Sequence, residues 1–404
     1  MKTLKTKLAA GLAVWSMLAA CQPNMSVKLT APEELDKTGA PPATPELASA
    51  FRASLSTTLI EAAIDASKND PWSIVRPDPT VNLPEVMERP SSWRRGVSLG
   101  LFASEKDPDK QIAIYETLLD EIARTGATDI SIVVRWSQHS VTTTEISARP
   151  DVTVPDEVVG RVIDAARARG LRVFLLPIIY LEKRAMGKWR GTLAPTNLDA
   201  WWTSYEAFIL HYARLAQAHE VSLYGVGSEL LSMENKTDRW RALITKVRGV
   251  YKQQLTYSAN WDHFEIPRFW KELDVVGMTA YQELTNTPNP DVAELRRGWR
   301  GFQARLHRWS IEHDIKYIFT EIGYPSHRKG AAQPWNYTAR SLPAHQLQAR
   351  CYRAMLAEWH DAPRLDGLYL WNWFGFSDPE DRSYTPRGKP AEKILSHWFR
   401  ASTP

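Results

Sequence analysis

From about residue 93 onward, short apolar runs alternate with longer segments whose apolar residues recur at helical spacing. The short runs fall at 96–99, 129–134, 172–179, 222–227, 256–259, 275–279, 317–320 and 367–371. Several of them are apolar throughout, the pattern of strands covered on both faces. Helical spacing occupies 111–124, 156–169, 197–218, 239–254, 291–312 and 344–359. Eight strands alternating with helices over about 300 residues predict an α/β fold, a closed parallel (β/α)8 or TIM barrel. An open doubly wound sheet is the competing architecture. If it bound nucleotides it would carry a glycine-rich phosphate loop after an early strand, and the sequence has none.

The residues before 93 follow another pattern. Prolines at 41, 42, 45, 71, 77, 79, 84 and 90 break any long element, so 21–92 reads as a tether. Within it Leu47, Phe51, Leu55, Leu59, Ile60 and Ile64 recur at helical spacing, enough for one helix over 46–68. Ahead of the tether, Lys2, Lys5 and Lys7 precede a short apolar run from Leu8 to Leu18 and then Leu18-Ala19-Ala20-Cys21. That run is too short to span a bilayer as a helix. The order of parts resembles a bacterial lipoprotein signal, which implies removal of 1–20 and a lipid anchor on Cys21. Gln22 in place of Asp after that cysteine implies the outer membrane. The expected organisation is a signal at 1–20, a tether at 21–92 and a barrel at 93–404.

Composition narrows the function classes. The formal charge of +4 falls to about +1 once the three leader lysines are gone, and no basic stripe remains, so nucleic acid is not an expected partner. Seventeen tryptophans are many for 404 residues, and aromatic faces are platforms for the apolar faces of sugars. With Cys21 lipidated, Cys351 has no partner and reads as a small buried helix residue. His139, His263 and His327 are scattered without ligand spacing, so neither metal nor cofactor is expected. Asp378, Glu380 and Asp381 read as a solvated acidic turn, with weak Ca²⁺ binding as the alternative.

In a barrel of this kind, polar residues just past the strands collect at one rim. The strand ends offer Arg135 and Trp136, Glu229, Asn260 and Trp261, Tyr281, Glu321, and then Trp371, Asn372 and Trp373. Two glutamates, Glu229 in Tyr224-Gly225-Val226-Gly227-Ser228-Glu229-Leu230 and Glu321 in Thr320-Glu321-Ile322-Gly323-Tyr324, leave apolar strands about where two-carboxylate glycoside hydrolysis needs them. Each has a plainer alternative: Glu229 as a first-turn helix glutamate after Ser228, and Glu321 as a structural carboxylate on a buried cation.

On these residues the chain resembles the clan A retaining glycoside hydrolases, and most resembles glycoside hydrolase family 113, known for β-mannanases. The resemblance covers about 95–399 and implies an acid/base at Glu229 and a nucleophile at Glu321. It implies that Arg135 and Tyr281 hold the nucleophile and that Trp371 floors the subsite at the cleavage point. Trp136, Asn260, Trp261 and Trp373 are the remaining candidates for substrate contact. Ser228 departs from the asparagine that many clan members place before the acid/base, so the contact to the sugar 2-hydroxyl falls to water or to another residue such as Asn260. Arg135 beside Glu321 would favour its charged form, leaving Glu229 as the general acid. The expected partner is a polysaccharide or oligosaccharide, β-mannan or glucomannan by resemblance, with the membrane reached through Cys21. A catalytically silent carbohydrate-binding surface lipoprotein is the competing reading.

Overall fold

A computed structural model describes residues 70–401 apart from 84, 86, 87, 104, 376 and 377. The signal, Cys21 and the helix expected over 46–68 lie outside the described residues. Nine strands run in chain order: β1 (Arg94–Gly100), β2 (Asp129–Gln138), β3 (Ile146–Ser147), β4 (Arg172–Leu181), β5 (Leu223–Ser228), β6 (Gln254–Ala259), β7 (Val275–Thr279), β8 (Tyr317–Ile322) and β9 (Leu365–Leu370). All but β3 are parallel neighbours in the order β1-β9-β8-β7-β6-β5-β4-β2, and β2 pairs back with β1. The sheet is closed: a (β/α)8 barrel. The two-residue β3 pairs antiparallel with the end of β2, Ser137 opposite Ser147.

The principal helices are α1 (Pro108–Arg124), α2 (Asp156–Ala168), α3 (Leu198–Ala218), α4 (Leu231–Glu234), α5 (Thr237–Val250), α6 (Val292–Glu312), α7 (His345–Trp359) and α8 (Pro390–Ala401). Their starts are written in side chains. Asp107, Asn197 and Asp291 each accept from backbone N–H groups of the first turn of α1, α3 and α6. α1 stops where Gly126 adopts a φ of +92°, a left-handed turn at which an added Cβ would meet Arg400. The expected helix over 239–254 ends earlier, at Val250, because Gln254 already begins β6. α8 was not read as a separate helix in the sequence.

Side chains alternate across the barrel wall. Val133, Phe174, Leu176, Ile178, Leu223, Ile318, Tyr369 and Trp371 fill the barrel interior. Val134, Leu175, Tyr224, Phe319 and Leu370 face the other way, into a larger core beneath the helices. Cys351 is fully buried there, as expected.

Part of the expected tether is docked. Asn289 donates to the carbonyls of Pro71 and Ile74, and Arg353 donates to those of Pro79, Val81 and Asn82. Asp70 pairs with Arg328 at 3.1 Å. The prolines leave this stretch a single 3-10 turn at Pro71–Ser73 and no strand ladder, and side chains of the barrel satisfy several of its carbonyls instead. The acidic turn is likewise anchored rather than solvated throughout: Asp381 is buried and pairs with Lys389 Nζ at 3.1 Å.

Candidate active site

Glu321 lies on β8, and Glu229 is the first residue after β5. Both are buried at the C-terminal mouth, 2% and 6% exposed. They arrive differently. β8 delivers Glu321 in register with Thr279 after a one-residue shift in pairing with β7. At β5 the pairing with β6 slips between Gly225 and Ser228, and Glu229 turns into the left-handed region at φ +54° while its N–H donates to the Ser258 carbonyl at 2.8 Å.

The partners of the two carboxylates differ. Arg190, in a single 3-10 turn at Arg190–Thr192 beyond β4, donates to Glu229 Oε2 at 2.6 Å, both groups nearly sealed from solvent. Tyr281 donates its hydroxyl to Glu321 Oε2 at 3.1 Å, as expected. Burial pushes the Glu321 carboxyl well up from the usual carboxylate range, and the charge of Glu229 adds to it; Arg190 and the Tyr281 hydrogen bond pull the other way. One proton between two neighbouring carboxylates is the electrostatic result.

Arg135 points inward but donates to the Leu101 carbonyl at 3.2 Å and lies over the rings of Phe102 and Tyr180. A second guanidinium, that of Arg190, sits on Glu229. Burial and the Glu229 charge push the Glu321 carboxyl toward its protonated form, where the sequence pointed to its charged form.

Of the aromatic candidates, Trp136 and Trp373 do not reach the cleft. One residue past the inward Arg135, Trp136 faces α3, its ring 5.3 Å from that of Phe208 and 5.1 Å from that of His211. Trp373, two residues past the inward Trp371, donates its indole N–H to Glu121 of α1 at 3.0 Å. Trp371, Trp261 and Tyr281 belong to the cluster at the barrel mouth. Trp261 stacks on Trp335, ring centroids 6.3 Å apart, and Tyr281 lies 6.1 Å from Tyr384. Asn260 Oδ1 accepts from Thr279 and from the Trp261 N–H, both at 3.0 Å, which leaves its amide nitrogen to be directed elsewhere. Ser228 is buried, and its hydroxyl has no hydrogen-bond partner among the described residues.

The sequence reading missed Arg190, Trp335, Tyr384 and Glu234. Trp335 and Tyr337 alternate in a loop too polar to be core, which is a legible signal. Arg190 carries none, since nothing local marks one loop arginine as the one that folds back over a carboxylate.

Comparison with known proteins agrees with this geometry. The profile of Glycoside Hydrolase Family 113 matches residues 102–388. The chain belongs to glycoside hydrolase family 113. A family 113 β-mannanase from Alicyclobacillus acidocaldarius, solved in complex with ManMIm, is 26% identical, with 77% of this chain and 98% of that one covered at a TM-score of 0.68. A second family 113 β-1,4-mannanase structure is 24% identical, covering 78% and 99%, with a TM-score of 0.69. A β-glucuronidase from Faecalibacterium prausnitzii shares the fold at 14% identity and a TM-score of 0.51, over 76% of this chain and 49% of that one. No curated protein sequence matches the chain. This family 113 protein is a glycoside hydrolase, and a carbohydrate is its substrate.

Proposed function

We propose that this family 113 enzyme cleaves β-mannan or glucomannan within the chain and retains configuration by double displacement. The observation that carries the reading is the pair of buried carboxylates at one barrel mouth, each with its own partner: Arg190 on Glu229 and Tyr281 on Glu321. Glu321 attacks the anomeric carbon while Glu229 gives its proton to the departing glycosidic oxygen. Water then attacks the glycosyl-enzyme, Glu229 takes its proton, and the Glu321 carboxylate leaves. Before the first step the shared proton has to pass from Glu321 to Glu229. Arrival of the glycosidic oxygen at Glu229 competes with Arg190 for that carboxylate, and release of Arg190 favours this transfer.

The β-mannan preference is supported by the two family 113 relatives, both β-mannanases. Trp261 with Trp335 and Trp371 offer faces for sugar rings, and Asn260 offers an amide nitrogen where Ser228 is too short to reach a 2-hydroxyl. We also propose that Cys21 carries a lipid that holds the enzyme at the bacterial outer membrane, a reading supported by the basic and apolar order before it. Mass spectrometry of the membrane-extracted N-terminal peptide tests it; an unmodified Cys21 would discard it.

The test of activity is product release from mannan, glucomannan and other β-linked polysaccharides, beside the Glu321→Gln variant, with the anomer first formed followed by proton NMR. Release of β-anomers by the parent alone supports the proposal, and release of α-anomers rejects retention. No turnover with unchanged glycan binding in both proteins would leave a silent binder.

A further inference from the structure

Behind Glu229 lies a third buried carboxylate that the proposed mechanism does not use. Glu234, the last residue of α4, is completely buried. Its Oε1 accepts from the Tyr257 hydroxyl at 2.8 Å, and that hydroxyl in turn accepts from the N–H of Leu230 at 2.9 Å. Leu230 is the residue next to Glu229. A continuous chain of hydrogen bonds therefore runs from Glu234 through Tyr257 to the peptide that fixes the left-handed turn of Glu229.

The other oxygen of Glu234 faces His263. Glu234 Oε2 and His263 Nε2 lie 3.8 Å apart, and neither atom has a hydrogen bond to a described residue. His263 Nδ1 pairs with Asp262. Burying a carboxylate this deeply is costly, and packing alone would be better served by an apolar side chain.

We propose that Glu234 and His263 are positioning residues for Glu229, holding its backbone through Tyr257 and setting how readily its carboxyl gives up and takes back a proton. The charges that face the pair are few: Glu229 from the end of β5, Asp262 beside His263, and Arg305 of α6 toward Asp262. Burial raises Glu234 to about 7, against the lowering influence of His263 and the Tyr257 hydrogen bond. Burial pulls His263 down, but its hydrogen bond to Asp262 and the charges of Glu234, Asp262 and Glu229 hold it above the usual histidine value. A carboxyl raised to about 7 and an imidazole held above its usual value thus sit in the electrostatic reach of Glu229.

The inference rests on Glu229 as the acid/base, so its test reads the carboxyl directly and needs no substrate. The ¹³C carboxyl resonance of Glu229 in the full chain, identified by its loss in Glu229→Gln, is titrated in the parent, Glu234→Gln and His263→Gln. Glu234→Gln keeps the oxygen that receives the Tyr257 hydroxyl and deletes only the charge. The part of the Glu229 titration that runs above about pH 7, where Glu234 is ionised in the parent, is expected to move to lower pH, because a neighbouring negative charge has gone. His263→Gln removes a positive charge, and the midpoint is expected to rise. Where the parent hydrolyses a glycan, the alkaline limb of its kcat/KM profile moves with the midpoint. Unchanged Glu229 midpoints in folded Glu234→Gln and His263→Gln proteins would overturn the proposal and reduce Glu234 to a packing residue. If Glu234→Gln does not fold, the sign of the His263→Gln shift alone decides. Failure of the parent on every glycan would defeat the hydrolase reading without touching the titration.

Discussion

The ends of β5 and β8 present the same functional group in two unlike settings. β8 delivers Glu321 while still in the strand, its carboxylate hydrogen-bonded to one phenol and in reach of the charges of Glu229 and Arg190. β5 breaks register, turns Glu229 through a left-handed φ, and supplies it with an arginine in front and a Glu234–His263 pair behind. A carboxylate that must attack carbon needs a fixed line of approach and little else. One that must give and then recover a proton needs neighbours that can change its proton affinity.

The sharpest break of this comparison comes from removing each carboxylate in turn. Glu321→Gln is expected to lower kcat by about four orders of magnitude on any glycoside, whatever its leaving group. Glu229→Gln should cost about 10²- to 10⁴-fold on polysaccharide yet far less for glycosylation by an aryl glycoside with an acidic phenol, which leaves without a proton. Pre-steady-state release of that phenol measures the contrast, and equal losses in both variants would erase the division of roles.

Arg190 tests the β5 side alone. Replacing it by Met leaves the Glu229 charge buried without its guanidinium and is expected to destabilise the fold by about 3 kcal/mol in urea unfolding, while Arg190→Met with Glu229→Gln recovers most of it. Additive losses would mean that the pair is not coupled.

The β8 side has its own buried titrating group. His327 is fully buried, its Nε2 donates to the Asn336 carbonyl and its Nδ1 accepts from the Lys329 N–H, and the second bond requires the neutral ring. Burial pushes it down from 6.5 to about 4. Between those values the unfolded chain binds the proton and the folded chain does not, so stability is full above pH 6.5 and falls as the pH drops toward 4. The span is worth about 3 kcal/mol, and urea unfolding of His327→Gln at pH 7 and pH 4.5 should show that much less dependence on acid. Equal slopes for the two proteins would sink the assignment.

The smallest effect belongs to the phenol. Tyr281→Phe keeps the ring and removes a single hydrogen bond to Glu321, for an expected loss of about tenfold in kcat with KM little changed. A larger rise in KM than fall in kcat would move Tyr281 to sugar binding.

The barrel and both glutamates were legible because each rests on a local pattern: strands buried on two faces read as apolar runs, and a glutamate leaving such a run stands out. Trp136 and Trp373 misled for an equally local reason. Trp136 sits one position past the inward Arg135 and so faces the helices, a matter of register that an apolar run buried on both faces does not display. Trp373 lies beyond the end of β9, where strand alternation no longer places a side chain, and its indole turns to Glu121 of α1.

The sequence by itself determined the order of the eight barrel strands, six of the helices and the two carboxylates at strand ends. These depend on spacing along the chain, which folding leaves unchanged. Only the tertiary structure decided which arginine pairs with a carboxylate, where residues 70–82 lie, and that Glu234 stands behind Glu229. Those facts depend on closure of the barrel, which brings Arg190 to Glu229 across 39 residues and Asn289 to Pro71 across 218. No pattern in one segment can encode a partner that another segment supplies.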